Sequence, residues 1–310
     1  MIRAPRPTDV FAYLAFRSQT AENEALIRAD GKTAVPTVTA LLGGSLEPRS
    51  ERWVLVDRGQ IVGLVGARAR FGADVWDVDQ LIASSSADTD RVYRRLLEHV
   101  CRQAVQEGVQ KVFLRLHEES EALSAARHAG FVKYAAEHVH YQPEPRPSVL
   151  SVPDGLRPRC PIDHQAIFQL YCSAVPAFVR QVEGLTLQEW RWTDGWRPHP
   201  MPWRPGGLRR RDFALRDGGN VVAWLQVDPR GRQLALLVDS RKPEVARSVL
   251  AYGVAELGRG PITLPLREYQ LALQPELEEQ GFRPVARHAL LARMLVSRVP
   301  EVRLVPIQAS

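Results

Sequence analysis

The chain has 310 residues, of which 45% are hydrophobic and 25% are charged, and this globular composition disfavours a disordered, collagen-like or coiled-coil chain. The formal net charge is +6 and most basic residues are arginine, which favours a planar anionic ligand or reflects genome composition alone. The sequence has no apolar run long enough to cross a bilayer and no signal-peptide core at its amino end, so we expect a cytoplasmic protein without membrane contact.

The three cysteines contain no CxxC pair, which fits a reducing compartment and argues against a structural zinc site.

In the first half of the chain, alternating apolar residues predict strands, and a helical spacing of apolar residues then predicts a helix. Asp88 or Asp90 can cap that helix and Gly108 can end it. The order continues through a strand, a short helix and a strand pair after Gly130-Phe131. The predicted strands are 53–57, 61–69, 75–82 and 111–116, and the predicted helices are 91–107 and 121–129.

A proline-rich segment at 143–148 separates the two halves, because proline at alternate positions favours extended backbone. We therefore predict a first domain over 1–142, a linker over 143–148 and a second domain over 149–310.

The second half repeats the order of the first, and it also ends its last helix in Gly-Phe, at Gly281-Phe282. A shared order with a shared landmark indicates a duplication. The predicted strands are 213–216, 221–227, 234–238, 262–266 and 289–295, and the predicted helices are 244–257 and 271–280.

This repeated order resembles the fold of GCN5-related N-acetyltransferases (GNAT), present here as a tandem. The resemblance covers nearly the whole chain, and its landmarks are Glu107-Gly108 and the two Gly-Phe pairs. It implies an α+β fold with a mixed sheet, acetyl-CoA as cosubstrate, and transfer of an acyl group to a small-molecule or peptide amine. In that family a loop of the form Gln/Arg-x-x-Gly-x-Gly/Ala leads into the long helix and holds the pyrophosphate with backbone N–H groups.

The first-half loop departs from this pattern at each key position. Asp88 stands at the Gln/Arg position, Arg91 at the first glycine and Tyr93 at the second. Aspartates there would repel a pyrophosphate, whereas helix capping explains them. We therefore expect no acyl-CoA binding of the family type in the first half.

The second-half loop keeps two of the three key features. Arg241 occupies the Gln/Arg position and Ala246 the last small position, while Glu244 replaces the first glycine. Ser240 and Lys242 add a candidate cap and a second cation, although basic residues on a loop are also commonly just solvated. The resemblance thus places acyl-CoA at Val238, Ser240, Arg241, Lys242 and Ala246.

Acyl transfer to an amine needs a general base, and Asp77 and Asp79 are the candidates in the first half, because residues two apart on a strand share a face. An exposed face of a half-buried strand is the simpler interpretation of this pair. The family's tyrosine proton donor is missing, since Ala126 and Leu277 occupy the corresponding positions.

The segment 190–211 interleaves tryptophan with arginine and is rich in proline, which predicts a loop. It could stack on bases or on the adenine of CoA, or cover the interface between the halves. Nucleic acid is a disfavoured partner, because the remaining basic charge is dispersed among acidic residues.

His138 and His140 alternate on one strand without further metal-ligand spacing, and we interpret them as edge-strand residues.

The sequence thus predicts a two-domain acetyltransferase-like protein with its acyl-CoA site in the second half. The alternative is a catalytically inactive tandem that binds a ligand or partner through the Trp/Arg-rich segment. The acceptor amine, the acyl length and the oligomeric state stay open.

Overall fold

The computed structural model describes residues 1–18, 23–25, 50–69, 74–85, 87–145, 151–184 and 210–295. The strands are β1 (Ile2–Arg3), β2 (Ser50–Asp57), β3 (Gln60–Ala69), β4 (Val75–Ala83), β5 (Lys111–His117), β6 (Val132–Gln142), β7 (Leu156–Pro158), β8 (Arg211–Asp217), β9 (Asn220–Asp228), β10 (Gln233–Val238), β11 (Ile262–Arg267) and β12 (Arg283–Met294). The helices are α1 (Val10–Ser18), α2 (Thr89–Gln106), α3 (Ala122–His128), α4 (His164–Ala174), α5 (Ala177–Glu183), α6 (Val245–Leu257) and α7 (Gln274–Glu279).

The predicted strands and helices are present close to their predicted bounds, with two differences. The prediction of a strand pair after Gly130-Phe131 is wrong, because β6 runs unbroken as one long strand. The last strand, β12, begins at Arg283 rather than at 289. Its pairing with β5 begins only at His288, whereas its pairing with β6 begins at Arg283. Both strands are long because each pairs on both sides within the sheet.

All strands form one continuous sheet in the order β1-β2-β3-β4-β5-β12-β6-β11-β10-β9-β8-β7. In this order β12 of the second half lies between β5 and β6 of the first half. Reciprocally, β6 of the first half lies between β11 and β12 of the second. The halves therefore exchange their last strands, and the division into domains near residue 148 stays a prediction.

The central pair of the sheet is antiparallel and lies on the axis that relates the halves. In its register Glu137 faces His288, and these residues hold equivalent positions after Phe131 and Phe282. His117 pairs with His288 and Arg267 pairs with Glu137. A row of four ionisable side chains thus crosses the four central strands on one face: His117, His288, Glu137 and Arg267.

The Gly-Phe landmark has the same backbone geometry in both halves. Gly130 and Gly281 have positive φ angles of 81° and 88°, which favour glycine. The N–H groups of Phe131 and Phe282 donate to carbonyls five residues back, at 3.0 Å in each case. Glycine is required because the chain must turn sharply from a helix into the exchanged strand.

A second repeat, which the sequence analysis missed, starts each half. Arg3 donates two hydrogen bonds to Asp9, and Arg157 donates two to Asp163 at the same spacing. Arg216 also donates to Asp163. Burial opposes the ionised form of Asp163, but bonds from the Cys160 N–H, Arg157 and Arg216 hold the pKa of this carboxyl far below its usual range.

Apolar cores lie on both faces of the sheet. Helices α2 and α3 cover the first half, and α6 and α7 cover the second half on the same face. On the opposite face α1 packs over β3, while α4 packs over β9 and β10 and α5 packs against β6. These helices on the opposite face form a second layer, which covers the exchanged strands.

We expect the buried His288 at the centre of the sheet to make the fold sensitive to acid. His288 is 1% exposed, and burial, with Arg115 and His117 nearby, lowers its pKa from 6.5 to about 3. As the pH is lowered, this histidine is protonated near pH 6.5 in the unfolded chain but only near pH 3 in the folded protein. The free energy of unfolding therefore falls as the pH is lowered through this window.

We expect His288→Gln to reduce the loss of unfolding free energy between pH 7 and pH 4.5 by about 2–3 kcal/mol, measured by urea unfolding at both pH values. His128→Gln, a change at an exposed histidine, is the control and should leave the pH dependence unchanged. An equally steep loss in the His288 variant and the wild type would contradict the prediction.

Candidate functional site

The two halves each contain a pair of parallel strands that diverge. In the first half β4 and β5 pair only over three residues, from Val75 with Lys111 to Asp77 with Phe113. In the second half β10 and β11 pair only at Gln233 with Thr263. Beyond these points each ladder ends, and we call the space between the two strands the gap of that half. The backbone N–H and C=O groups along its edges need partners other than the neighbouring strand.

The gap in the first half is filled by the chain itself. Oδ1 of Asn23 accepts the N–H of Leu81 at 2.9 Å, and the N–H of Glu24 donates to the carbonyl of Leu81 at 2.9 Å. Nδ2 of Asn23 also donates to the carbonyl of Asp79 at 3.3 Å. The free edge of β4 is therefore satisfied internally, and an extended ligand would have to displace residues 23–25.

In the second half, one side chain of the described residues bonds the edge of β10 in the gap. Nε2 of Gln270 donates to the carbonyl of Leu236 at 3.1 Å, and Gln270 is buried. A single rotatable side chain is easier to displace than a segment of backbone, because it costs one hydrogen bond. Among the described residues, fewer groups bond this edge than bond the edge of β4.

The two cations of the loop that leads from β10 into α6 are paired with nearby carboxylates. Asp239 accepts the N–H of Arg241 at 3.0 Å and binds its guanidinium at 2.7 Å. Lys242 pairs with Asp217. The hydrogen bond from Arg241 lowers the pKa of Asp239, so this carboxylate stays charged and competes with any anionic ligand for the loop.

The predicted binding residues therefore differ in their placement. Arg241 is 80% exposed and Lys242 is partly exposed, so both reach solvent. Ser240 is exposed beside them. Val238 and Ala246 are buried and face the core, so they shape the backbone and offer no side-chain contact to a ligand.

A cluster of polar side chains surrounds Arg267 at the end of β11, on the face of the sheet that α4 and α5 cover. We call it the Arg267 cluster. Nε of Arg267 lies 3.4 Å from Oε2 of Glu137, and the hydroxyl of Tyr171 donates to Oε2 of Glu183 at 2.7 Å. The remaining members, which act electrostatically on Arg267, are Tyr134 and Tyr269.

The Arg267 cluster adjoins the second-half gap. Tyr269 directly precedes Gln270, which reaches β10, and Tyr171 packs in the same apolar cluster as Ala235 and Leu237 of β10. Burial raises the pKa of both tyrosines, so both hydroxyls are protonated at neutral pH. The guanidinium of Arg115 also pairs with Glu137. Two carboxylates, two guanidiniums and protonated hydroxyls beside this strand edge can move protons and bind a polar group.

The sequence did not indicate the Arg267 cluster, because its members come from five separate parts of the chain. Tyr134 and Glu137 belong to the exchanged strand β6, Arg267 ends β11, and the others belong to α4, α5 and the region after β11. The only local signal was the polar residue content of the end of β11.

Asp77 and Asp79 lie on the same face of β4, as predicted, but the face is not exposed. Asp77 is 8% exposed, and Asp79 occupies a β-bulge opposite Gly66 and Ala67. Burial raises the pKa of Asp79, opposed by Arg68 and Arg52 and reinforced by Asp77. The pair lies in the first half, away from the Arg267 cluster.

Other sequence interpretations have mixed outcomes. Asp88 caps α2, accepting the N–H of Arg91. The assignment of His138 and His140 to an edge strand is wrong, because β6 lies at the centre of the sheet and His140 is fully buried.

In the part of the chain that the structure describes, no group of three potential metal ligands occurs. Within the same ranges, every helix is too short or too polar to cross a membrane.

Most of the Trp/Arg-rich segment, residues 190–209, lies outside the described residues. At its end, Arg210 pairs with Asp228 and Arg211 pairs with Glu256.

Comparison with solved structures identifies the fold. A tandem GNAT protein from the clavulanic acid biosynthesis pathway matches with a TM-score of 0.52 and 15% identity, over 95% of this chain and 98% of that chain. A GCN5-related N-acetyltransferase from Sphaerobacter thermophilus matches with a TM-score of 0.59 and 16% identity, over 95% of both chains. No protein-family model and no curated protein sequence matches the chain. The predicted α+β fold is confirmed, and the chain is a tandem GNAT-fold protein.

The filled gap of the first half can be tested through Asn23, which is 1% exposed. We expect Asn23→Ala to lower the free energy of unfolding by about 1–3 kcal/mol, because the buried N–H of Leu81 loses its acceptor. Urea unfolding measures the change. Gln106→Ala on the exposed face of α2 is the control, and a change in the Asn23 variant no larger than in this control would contradict the assignment.

Proposed function

We propose that the second half of this protein transfers an acyl group from acetyl-CoA to an amine, and that the first half serves as a scaffold. The observation that carries the proposal is the gap between β10 and β11, which lies beside the Arg267 cluster and, among the described residues, is crossed by the side chain of Gln270. The tandem GNAT fold supports the reaction class.

The residues of the two halves fit acetyl-CoA to different degrees. The first half does not fit, since Asn23 and Glu24 occupy the β4 edge and Asp88 stands in its loop. The second half fits through the carbonyl edge of β10 and through the exposed Arg241 and Lys242, which would hold the pyrophosphate once they leave their carboxylate partners. When bound, acetyl-CoA supplies an activated thioester carbonyl.

The chain's own groups account for the proton movements. Glu183 is partly exposed and accepts a hydrogen bond from Tyr171, so it can bind the ammonium form of the acceptor and take up the proton that the amine loses. Burial raises the pKa of Tyr269, so its hydroxyl stays protonated and can donate a hydrogen bond to the sulfur, which departs as a thiolate. Glu137 pairs with both Arg115 and Arg267 and holds the cluster in place.

This assignment moves the catalytic base from the predicted Asp77 and Asp79 to Glu183. The two aspartates lie on β4, whose edge Asn23 bonds, whereas Glu183 bonds Tyr171 and acts electrostatically on Arg267 at the end of β11. The alternative of a silent tandem binding through the Trp/Arg-rich segment is not favoured, because its described residues Arg210 and Arg211 are already in ion pairs.

The binding step is tested by titrating acetyl-CoA into the protein in a calorimeter. We expect the wild type to bind, Arg241→Glu to bind at least about tenfold more weakly, and Asp239→Asn to bind more tightly, because Asp239 competes with the ligand for Arg241. Asp228→Asn removes a carboxylate partner of Arg210 elsewhere and should bind like the wild type. No detectable binding to the wild type, or unchanged affinity in both loop variants, would refute the proposal.

The chemical step is tested with Glu183→Gln, by following thiol release from acetyl-CoA in the presence of a panel of primary amines. We expect the rate to fall by about 100-fold with unchanged acetyl-CoA affinity, because the general base is lost. Glu256→Gln is the matched control, since Glu256 accepts a similar hydrogen bond from Tyr252 on α6. Equal rates in the two variants would exclude Glu183 as the base.

A further inference from the structure

A cavity of about 300 Å³ lies in the first half, where helix α2 meets strand β1. Its lining residues are Ile2, Arg95, Glu98, His99 and Arg102. A volume of this size is at the lower end of the pockets that hold small molecules. The cavity lies on the face of the sheet that α2 covers, so it is separate from the Arg267 cluster on the opposite face.

Two of the lining residues, Arg95 and Arg102, are arginines without a carboxylate partner among the described residues. They stand seven residues apart on α2, which is about 10.5 Å along the helix axis. Glu98 is the one carboxylate among the lining residues, and Arg94, which does not line the cavity, bonds it at 3.0 Å. The cavity therefore offers two separated positive charges that no described side chain neutralises.

His99 lies between the two arginines along the helix and brings an unsatisfied polar atom. Its Nε2 is buried and has no hydrogen-bond partner in the described part of the chain. Burial, with the charge of Arg102, lowers the pKa of His99, so the imidazole is neutral at pH 7 and adds no third positive charge. A buried nitrogen without a partner is costly, which indicates a polar ligand group beside it.

The corresponding place in the second half has no open nitrogen. Tyr252 corresponds to His99, because each follows the paired apolar residues of its helix by two positions. Each also makes an edge-to-face ring contact with the strand below, at 5.3 Å between Trp53 and His99 and at 5.1 Å between Phe213 and Tyr252. The hydroxyl of Tyr252 donates to Glu256 at 2.8 Å, so this side chain is satisfied within the protein.

The two cations are also particular to the first half. In the same alignment Ser248 stands at the position of Arg95, and Ala255 stands at the position of Arg102. The hydroxyl of Ser248 donates to the carbonyl of Val245 in its own helix, at 3.1 Å. The framework that both halves share therefore does not require the arginines, and a ligand is the better reason for them.

We propose that this cavity binds a short dicarboxylic acid, with one carboxylate on Arg95 and the other on Arg102. A planar guanidinium donates two parallel hydrogen bonds to a carboxylate, and a dianion neutralises both cations. Ile2 supplies an apolar contact for the carbon chain, and Nε2 of His99 can bond a polar substituent on it.

The spacing of the arginines favours two anionic groups over one. A single small anion such as inorganic phosphate would leave part of the cavity empty. A phosphate ester also carries two charges, but at one point, whereas Arg95 and Arg102 leave the helix about two turns apart. The inference does not depend on acyl transfer in the second half.

The test titrates the full-length protein by calorimetry with the linear dicarboxylates from malonate to adipate. The buffer has low ionic strength, because both arginines are exposed and salt screens exposed charges. We expect at least one dicarboxylate to bind with a dissociation constant of about 1 mM or below. Its monomethyl ester, which keeps the chain and loses one charge, and inorganic phosphate should each bind at least about tenfold more weakly.

Three variants probe the cavity itself. Arg95→Gln and Arg102→Gln should each weaken binding at least about tenfold, because either change leaves one carboxylate without its partner. His99→Tyr installs the residue of the second half and fills the cavity, so it should weaken binding by a similar factor.

Two further variants are controls. Arg127→Gln removes an exposed arginine of α3 and should bind like the wild type. Arg241→Glu should do the same, which separates this result from the acetyl-CoA titration. Binding by no dicarboxylate, equal binding of the monoester or of inorganic phosphate, or unchanged affinity in either Arg95→Gln or Arg102→Gln would overturn the proposal.

Discussion

The antiparallel pairing of β6 with β12 is the contact on which the rest of the structure depends. Each half ends in a strand that lies between two strands of the other half, so neither half can complete its sheet alone. The pairing also places Glu137 beside His288 at the centre of the molecule and Arg267 beside Glu137. Burial of these groups couples folding to their hydrogen bonds and charges, and it assembles the Arg267 cluster from both halves.

Duplication produced two similar gaps and two similar faces, and each has a different occupant. The first-half gap holds Asn23 and its neighbours, whereas the second-half gap holds the side chain of Gln270. On the face that α1 and α4 cover, Gln226 bonds Asp212 in the second half, whereas Gly66 stands at the corresponding position of the first half.

Several features of the fold could be predicted from local patterns. The strands and helices follow from apolar spacing, and the Gly-Phe landmarks follow from helix ends that need a positive φ. The cations Arg241 and Lys242 were found by counting along the loop, but their carboxylate partners Asp239 and Asp217 were not. Partners of this kind depend on how a loop folds back, which short-range periodicity does not report.

Residue order along the chain decided the secondary structure, the duplication and the acidic loop of the first half, because these depend on neighbours within a few residues. The exchange of β6 and β12, the filling of the first gap and the gathering of Glu137, Glu183 and Arg267 were decided only by tertiary structure. These features join residues far apart in the sequence, and their free energy comes from burial and strand pairing across the whole sheet. For that reason we propose a base at Glu183, on a helix of the second layer, while the role of Asp77 and Asp79 stays a prediction.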